Sequence, residues 1–143
     1  MEPGEIYGIP AFYADPATGE LRTKYLLLLA PNHDGDFVTR LLTSRRHGRP
    51  EDPRCFHGYP YPGFFLGLPG HPLGLPTWLD LRGFDDIDRS ELARRIERDA
   101  RHVAAISRDL LIAAIQCVAG ADDTTRGQER ALRDALALIR DSL

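Results

Sequence analysis

Four residues with complementary chemistry stand at the ends of two apolar runs: Lys24, Thr43, Ser44 and Arg45. Lys24 opens the first run, and the other three close the second. Two cations and two hydroxyls suit a phosphate, because they offer positive charge and hydrogen-bond donors together. If the two runs pair as antiparallel strands, the four residues meet at one end of a sheet, and we predict a phosphate-handling corner there.

The two runs have the composition of neighbouring strands. Residues 24–30 read KYLLLLA and residues 36–44 read DFVTRLLTS, with the polar cluster PNHDG between them. Short apolar runs separated by such a cluster are typical of adjacent antiparallel strands. Pairing across this turn would bring Lys24 close to Thr43.

The composition is that of a soluble globular protein, with 43% hydrophobic and 27% charged residues among 143. This length predicts one domain with a sizeable core. The formal net charge of -3 excludes a protein that coats nucleic acid through overall positive charge. Residues 40–57, however, hold five arginines against two acids. Such a local basic patch favours a specific anionic ligand.

Targeting and cysteine signals are weak. The first ten residues have no signal-peptide pattern, and no apolar run approaches the roughly 20 residues of a membrane span. We therefore expect a cytoplasmic protein that does not contact a membrane. Cys55 lies in a polar loop and Cys117 in an apolar helical run. Their contexts predict neither a disulfide nor a CxxC metal site.

The first part of the chain reads as short strands. Residues 5–13 alternate, and Pro10 predicts that this strand lies at an edge or bends there. Residues 77–81 alternate again as a last strand. Between them, residues 45–76 contain seven of the eleven prolines and six of the thirteen glycines. A loop this long is often functional, although packing over a barrel mouth explains it equally well. A short strand over residues 63–68 fits inside it.

The last part of the chain reads as helices. Asp88 and Glu91 predict a capping-box start for a first helix that ends near Arg98. Residues 100–119 predict a second, much more apolar helix that ends at Gly120. Residues 122–143 predict a third, extra helix that packs on the rest or mediates dimerisation.

Strands followed by helices indicate the α+β class. Five or so short strands with Gly and Pro at their corners favour a small twisted β-barrel. We predict a single domain, with a barrel core over residues 1–81, helices packing on it over residues 85–119, and the extra helix after them.

Four segments, in this order and spacing, resemble the MazF/PemK toxins of bacterial toxin–antitoxin pairs: PGEIYGIPAF, KYLLLLA, DFVTRLLTSR and TWLDLRGFDDIDRSEL. The resemblance covers residues 3–119. It implies an SH3-like barrel with appended helices and a homodimeric, metal-independent endoribonuclease without a cofactor. Such enzymes cut single-stranded RNA, leave a cyclic phosphate and a 5′-hydroxyl, and are silenced by a cognate antitoxin.

The resemblance also implies a catalytic pair, which in that family is an arginine and a threonine. These positions match Lys24 and Thr43. Lysine is a point charge rather than a planar fork of donors, so it stabilises a phosphorane without gripping two oxygens. A buried lysine is also easier to deprotonate and is a candidate base. Arg22, two residues earlier on the same strand face, is a candidate for the missing fork.

Residues beside this pair are candidates for substrate binding: Arg22, Ser44, Arg45, Arg46, His47, Tyr59 and Tyr61. Arg45 and Arg46, together with Arg49 and Arg54 of the same run, would contact the RNA backbone, and the tyrosines would stack on bases. His47 or His57 is a candidate acid or base. The alternatives are a solvated charged surface and core packing of the aromatic side chains.

Two other functions remain open from the sequence. The departures at Lys24 and Tyr25 favour a catalytically inactive barrel that binds a protein partner, such as a topoisomerase or a component of a defence system. The loop residues His47, Cys55, His57 and His71 suggest a metal-dependent hydrolase. Their spacing fits no common zinc pattern, so we predict no metal.

Overall fold

The computed structural model describes residues 1–32, 37–83 and 89–142. These ranges form the following elements: β1 (Glu5–Ala14), β2 (Leu21–Pro31), β3 (Phe37–Thr43), β4 (Cys55–Phe56), β5 (Gly63–Gly67), β6 (Thr77–Asp80), α1 (Arg89–Asp99), β7 (Arg101–Ala105), α2 (Arg108–Ala119) and α3 (Arg126–Asp141). The predicted turn at residues 33–35 and the predicted helix cap at Asp88 lie outside the described residues.

All seven strands form one antiparallel sheet in the order β4-β5-β6-β3-β2-β1-β7. The predicted pairing of the two apolar runs is confirmed, because Leu26 of β2 lies opposite Leu41 of β3. Within the described ranges, no strand pairing joins β4 to β7, so hydrogen bonds do not close the sheet into a barrel. The α+β class is confirmed.

Strand β2 is buried on both faces. Its five residues Leu26–Ala30 have no exposed surface, which explains the continuous apolar run in the sequence. Leu26 and Leu28 pack in a cluster that Ile96 of α1 joins. Leu27 and Leu29 belong to the main core on the other face, where α2 and α3 pack.

The third helix completes this main core. It begins at a capping box, in which Thr125 and Gln128 exchange side-chain to backbone hydrogen bonds. Its buried face then adds four residues to the core: Ala131, Leu132, Ala135 and Leu136. The prediction that this helix packs on the rest of the chain is confirmed.

The prediction of one helix over residues 100–119 is wrong. Residues Arg101–Ala105 form β7, which pairs with Glu5–Gly8 of β1. Helix α2 starts only after Ser107, whose hydroxyl accepts a hydrogen bond from the Leu110 N–H. The apolar residues of β7 continue the helical spacing of α2, but the open edge of β1 offers a strand partner that periodicity does not reveal.

Strand β1 bends at Pro10, as predicted. Its pairing with β2 shifts between Ile9 and Tyr13, and Ala11 has a φ of 52°. Arg95 of α1 holds this bend by donating to the backbone carbonyls of Pro10 and Ala11, at 3.2 and 3.0 Å. The alternative, a strand at the sheet edge, is wrong for residues 5–8, because β7 covers them.

The Pro/Gly-rich segment contains more structure than a loop. It holds β4 and β5, and β5 confirms the short strand predicted over residues 63–68. Cys55 of β4 forms a disulfide with Cys117 of α2, with their Cα atoms 5.6 Å apart. The prediction that neither cysteine forms a disulfide is therefore wrong. A sequence separation of 62 residues leaves no local pattern that would reveal the pairing.

None of the helices in the described ranges is both long and apolar enough to cross a membrane.

Candidate functional site

A pocket of about 260 Å³ opens where β2 and β3 end. Its lining includes the four residues of the phosphate-handling corner: Lys24, Thr43, Ser44 and Arg45. Leu26 lies opposite Leu41, so extending this antiparallel register by two residues places Lys24 opposite Thr43. The pairing of β2 with β3 therefore brings Lys24, near the start of β2, and Thr43, at the end of β3, to one cavity.

The turn after β3 is held by a buried arginine. The Thr43 Oγ1 atom accepts a hydrogen bond from the Arg45 N–H at 3.1 Å. Arg49 donates to the Arg45 carbonyl at 3.0 Å and to the Pro62 carbonyl at 3.2 Å. The side chain of Arg49 is 1% exposed, so it is neither a solvated surface charge nor a contact for RNA. It fixes the backbone that presents the pocket residues.

Space for Arg49 depends on a glycine in β5. A Cβ atom on Gly63 would lie 2.6 Å from the Arg49 Cδ atom, which is much closer than carbon atoms approach one another. The missing side chain at Gly63 therefore lets the arginine cross under the turn.

Asp80 balances the buried charge behind the pocket. It lies 3.8 Å from Arg49 and 2.8 Å from Arg82. Burial alone would raise the pKa of the Asp80 carboxyl, but hydrogen bonds from the Arg82 side chain and backbone outweigh it and hold that pKa below its usual value. Asp80 therefore stays ionised and neutralises part of the arginine charge.

Lys24 has a strongly cationic environment. Burial is the main cause that lowers the pKa of its ammonium group, and Asp80 opposes this shift. Three nearby guanidinium groups lower it further: those of Arg45, Arg49 and Arg82. The Lys24 Nζ atom also lies 6.0 Å from the ring centroid of Tyr13, another residue of the pocket lining. A bound anion would relieve the repulsion among these charges.

The opposite wall of the pocket comes from the Pro/Gly-rich segment. Residues 72–75 line it, and a backbone bridge between Gly70 and Leu73 shapes this turn. The Thr77 hydroxyl donates to the Leu75 carbonyl at 2.8 Å and ties the wall to β6. The pocket therefore has one polar cationic side and one mainly apolar side.

Two of the candidate binding arginines have other partners. Arg22 lies outside the pocket lining and forms ion pairs with Asp15 and Glu20, each at 3.3 Å. Arg46 pairs with Glu51 at 2.6 Å and lies over the Trp78 ring. Neither guanidinium is placed to supply the second donor beside Lys24.

The aromatic and histidine candidates lie outside the pocket lining. The Tyr61 ring contacts His47, with ring centroids 4.9 Å apart, and lies against the guanidinium groups of Arg49 and Arg82. Tyr59, which lies between Gly58 and Pro60, is 85% exposed. It is the more accessible of the two tyrosines for a base.

Among the contributors to this site that sequence reasoning missed are Tyr13, Thr23 and the wall at residues 72–75. The alternation of β1 gives no sign that Tyr13 faces a cavity, because the bulge at Pro10 changes the register before it. Thr23 was not predicted because only the charge of its neighbour Lys24 was considered at this end of β2. The wall lies in a segment marked only by its composition.

The chemistry of the lining favours an anion over a metal ion. Among the described residues, the lining contains no carboxylate, cysteine or histidine side chain. Ammonium, guanidinium and hydroxyl groups instead donate hydrogen bonds to oxygen atoms of an anion. This arrangement can bind a phosphodiester and stabilise additional negative charge on it.

Comparisons with family models, with curated proteins and with solved structures found no match for this chain.

Proposed function

We propose that this chain is a metal-independent endoribonuclease of the MazF/PemK toxin type, built on an SH3-like barrel. The observation that supports the proposal most is the shared pocket: Lys24, Thr43, Ser44 and Arg45 lie together at one end of β2 and β3. Two of the segments that resemble this family, KYLLLLA and DFVTRLLTSR, contain all four of these residues. The cationic lining adds a physical reason for an RNA phosphate as ligand.

The cleavage needs no nucleophile from the protein. The ribose 2′-hydroxyl oxygen attacks the adjacent phosphorus and passes its proton to water, and the bond from phosphorus to the 5′ oxygen breaks as that oxygen takes a proton from water. A cyclic phosphate and a 5′-hydroxyl result. Negative charge accumulates on the phosphorane, so positioning and charge stabilisation are what the pocket has to supply.

Each pocket residue has a role in this mechanism. The Lys24 ammonium stabilises the charge that develops on the phosphorane, and the Thr43 hydroxyl orients the scissile phosphate. Ser44 and Arg45 bind beside it, while the apolar wall at residues 72–75 accommodates the attached nucleoside. Arg49 acts through the backbone of the turn and is a positioning residue.

The partners follow from the same proposal. Single-stranded RNA is the substrate, and a cognate antitoxin silences the cytoplasmic enzyme by occupying the same groove. A homodimer is the proposed assembly. DNA should not be cleaved, because it lacks the attacking 2′-hydroxyl.

A specific observation favours a second function. The only arginine on β2 is Arg22, which forms ion pairs with Asp15 and Glu20 and lies outside the pocket lining, so β2 itself places no guanidinium beside Lys24 in the pocket. A pocket that binds phosphate or a carboxylate without cleaving RNA would also fit this arrangement. The second candidate is therefore a non-catalytic binding module that acts through a protein partner.

The decisive experiment is cleavage of a long single-stranded RNA by purified protein in EDTA, with the disulfide kept oxidised. Lys24→Ala and Thr43→Ala should each lower the rate by about 10²–10³-fold, the usual effect of removing one preorganised donor. Arg101→Ala is the matched control, since it removes an exposed arginine on β7, and it should retain the wild-type rate.

Two results would separate the candidates. Cuts lost in both pocket variants and retained in Arg101→Ala would establish a metal-independent ribonuclease centred on this pocket. Intact RNA after treatment with folded, antitoxin-free wild-type protein would reject the enzyme. If the RNA stays intact, a mobility-shift assay would show whether the protein still binds it.

A further inference from the structure

A second chemical cluster lies apart from the pocket, between β4 and α2. The Cys55–Cys117 disulfide joins the two elements, and His57, two residues after Cys55, reaches the same place. Cys117 is 2% exposed, Cys55 is half-buried, and His57 is exposed. The cluster therefore has a buried floor and one side open to water.

The histidine nitrogen stands beside both sulfur atoms. The His57 Nε2 atom lies 3.3 Å from the Cys55 Sγ atom and 3.6 Å from the Cys117 Sγ atom. It also lies 3.0 Å from the Cys117 carbonyl oxygen, to which it donates when protonated. One ligand atom from each of the three residues fits within 4.8 Å of the others.

Three ligand atoms define three distances, two from nitrogen to sulfur and one between the sulfur atoms, and we compare them with those of a tetrahedral zinc site. With Zn–S bonds of about 2.3 Å and Zn–N bonds of about 2.0–2.1 Å, sulfur and nitrogen ligands are about 3.6 Å apart and two sulfur ligands about 3.8 Å apart. The distance from His57 Nε2 to Cys117 Sγ, 3.6 Å, equals this value, and the distance to Cys55 Sγ, 3.3 Å, is slightly shorter. Only the two sulfur atoms, bonded in the disulfide, must separate.

We propose that reduction of the disulfide turns this cluster into a zinc site with Cys55, His57 and Cys117 as ligands. A dithiol reductant supplies two electrons and two protons: the Cys55–Cys117 bond breaks, two thiols form, and the reductant closes its own disulfide. Zn²⁺ then displaces one proton from each thiol. The His57 nitrogen exchanges its hydrogen bond with the Cys117 carbonyl for a bond to the metal, and water takes the open fourth position.

The exchange keeps β4 attached to α2 in both redox states. Cys55 belongs to the segment that also forms the apolar wall of the pocket, whereas Cys117 is part of the main core. A covalent link ties the segment to the core when the disulfide is present. The zinc ion takes over that link when the cysteines are reduced, a condition under which the disulfide no longer joins β4 to α2.

The test is a Zn²⁺ titration of the full chain, oxidised or fully reduced and freed of reductant without oxygen, against a chromophoric chelator. The reduced wild type should bind one Zn²⁺ per chain, and the oxidised wild type should bind none at the same concentrations. His57→Gln still permits the disulfide but removes one ligand, so the reduced variant should bind Zn²⁺ at least about tenfold more weakly. His71→Gln, a histidine of the same segment outside the cluster, is the matched control and should bind like the wild type.

Co²⁺ provides an independent readout of the ligands. Reduced wild type loaded with Co²⁺ should show thiolate-to-cobalt charge-transfer absorption, which Cys55→Ser should weaken strongly. Equal Zn²⁺ affinity of wild type and His57→Gln, or Co²⁺ binding without the thiolate band, would overturn the proposal. Reduction could also unfold the chain, which circular dichroism detects. A reduced chain that regains its fold with Zn²⁺ supports the site, and one that stays unfolded with Zn²⁺ rejects it.

Discussion

Strand β3 and the turn after it carry arginines with opposite surroundings. Arg40, in the middle of the strand, is 1% exposed and donates to the Thr39 carbonyl, the Thr124 hydroxyl and the Gln128 side chain. Arg45, just beyond the end of the strand, is exposed and lines the pocket. Among the described residues, no side-chain hydrogen bond occupies its guanidinium.

The difference lies in the hydrogen-bond partners of the two guanidinium groups: those of Arg40 are inside the protein, whereas the donors of Arg45 stay available to a ligand. Burial lowers the pKa of the Arg40 guanidinium, and its Nε atom has no hydrogen-bond partner in the described structure. Gln128 of α3 and Thr124, just before that helix, nevertheless supply two side-chain acceptors and seal Arg40 from an external anion. Arg45 keeps its donors available, because the surrounding backbone is held by Arg49 instead.

The largest expected effect is at the pocket end, where Lys24→Ala and Lys24→Arg can be compared across pH. The protonated ammonium is the active form, and burial lowers the Lys24 pKa from its ordinary value of 10.5. Cleavage by the wild type should therefore fall as the pH rises through that lowered pKa. Lys24→Arg should remain active and lose this alkaline decline, because arginine stays charged, whereas Lys24→Ala should be about 10²–10³-fold slower throughout.

The measurement is the initial cleavage rate between neutral and alkaline pH, with the background hydrolysis of RNA subtracted. Far-UV circular dichroism of each variant controls for unfolding. If the wild-type rate instead rises with pH and Lys24→Arg shows no cleavage, then Lys24 acts as a base rather than as a charge.

Next in size is the loss of the buried arginine. Arg40→Ala should reduce the free energy of unfolding by about 2–4 kcal/mol, since it opens a cavity and removes the bonds that hold α3. Arg40→Met fills the space without a charge and should stay within about 1 kcal/mol of the wild type. Urea denaturation measures both. Equal stability of all three proteins would show that Arg40 does not anchor the helix.

A smaller effect tests the link between the interior and the pocket. Gly63→Ala forces its Cβ atom against Arg49 and should cost about 1–3 kcal/mol of stability, with weaker RNA cleavage as the turn shifts. Gly127→Ala in α3 is the control: no neighbouring atom lies within 4 Å of the added carbon, so a gain of up to about 1 kcal/mol is expected. Thermal unfolding compares the pair, and Gly63→Ala that behaves like Gly127→Ala would contradict the close contact.

The smallest change in stability is expected at Arg45. Arg45→Ala leaves its backbone contacts in place, so stability should remain within about 0.5 kcal/mol of the wild type. RNA binding should weaken, and the slope of log K against log salt should shrink by about one phosphate contact. Fluorescence anisotropy at several salt concentrations measures this. An unchanged slope would remove Arg45 from the RNA contacts.

Local patterns predicted the parts of the molecule that local interactions decide. The apolar runs and the intervening polar turn located β2 and β3, and the antiparallel geometry then brought Lys24 towards Thr43. Helix α3 was predicted from its spacing, because its buried face repeats at helical intervals. In both cases the signal lies within one segment of the chain.

Features that depend on distant partners were missed. Nothing near Arg49 distinguishes it from the other arginines of its run, since its burial depends on Gly63 and Asp80. The apolar residues of β7 resemble the start of α2 until the open edge of β1 is known. The disulfide likewise required the fold to bring Cys55 to Cys117.

The single lysine of this chain allows the pocket to be labelled selectively with amine-directed reagents. Lys24 is the only side chain with a primary amine among 18 Lys and Arg residues, and its lowered pKa increases the fraction of neutral, nucleophilic amine. An amine-directed reagent should therefore modify the pocket and, besides the α-amino group, no other position. A fluorophore or photocrosslinker attached in this way would report on pocket occupancy, and protection of Lys24 from labelling would identify ligands whatever the reaction proves to be.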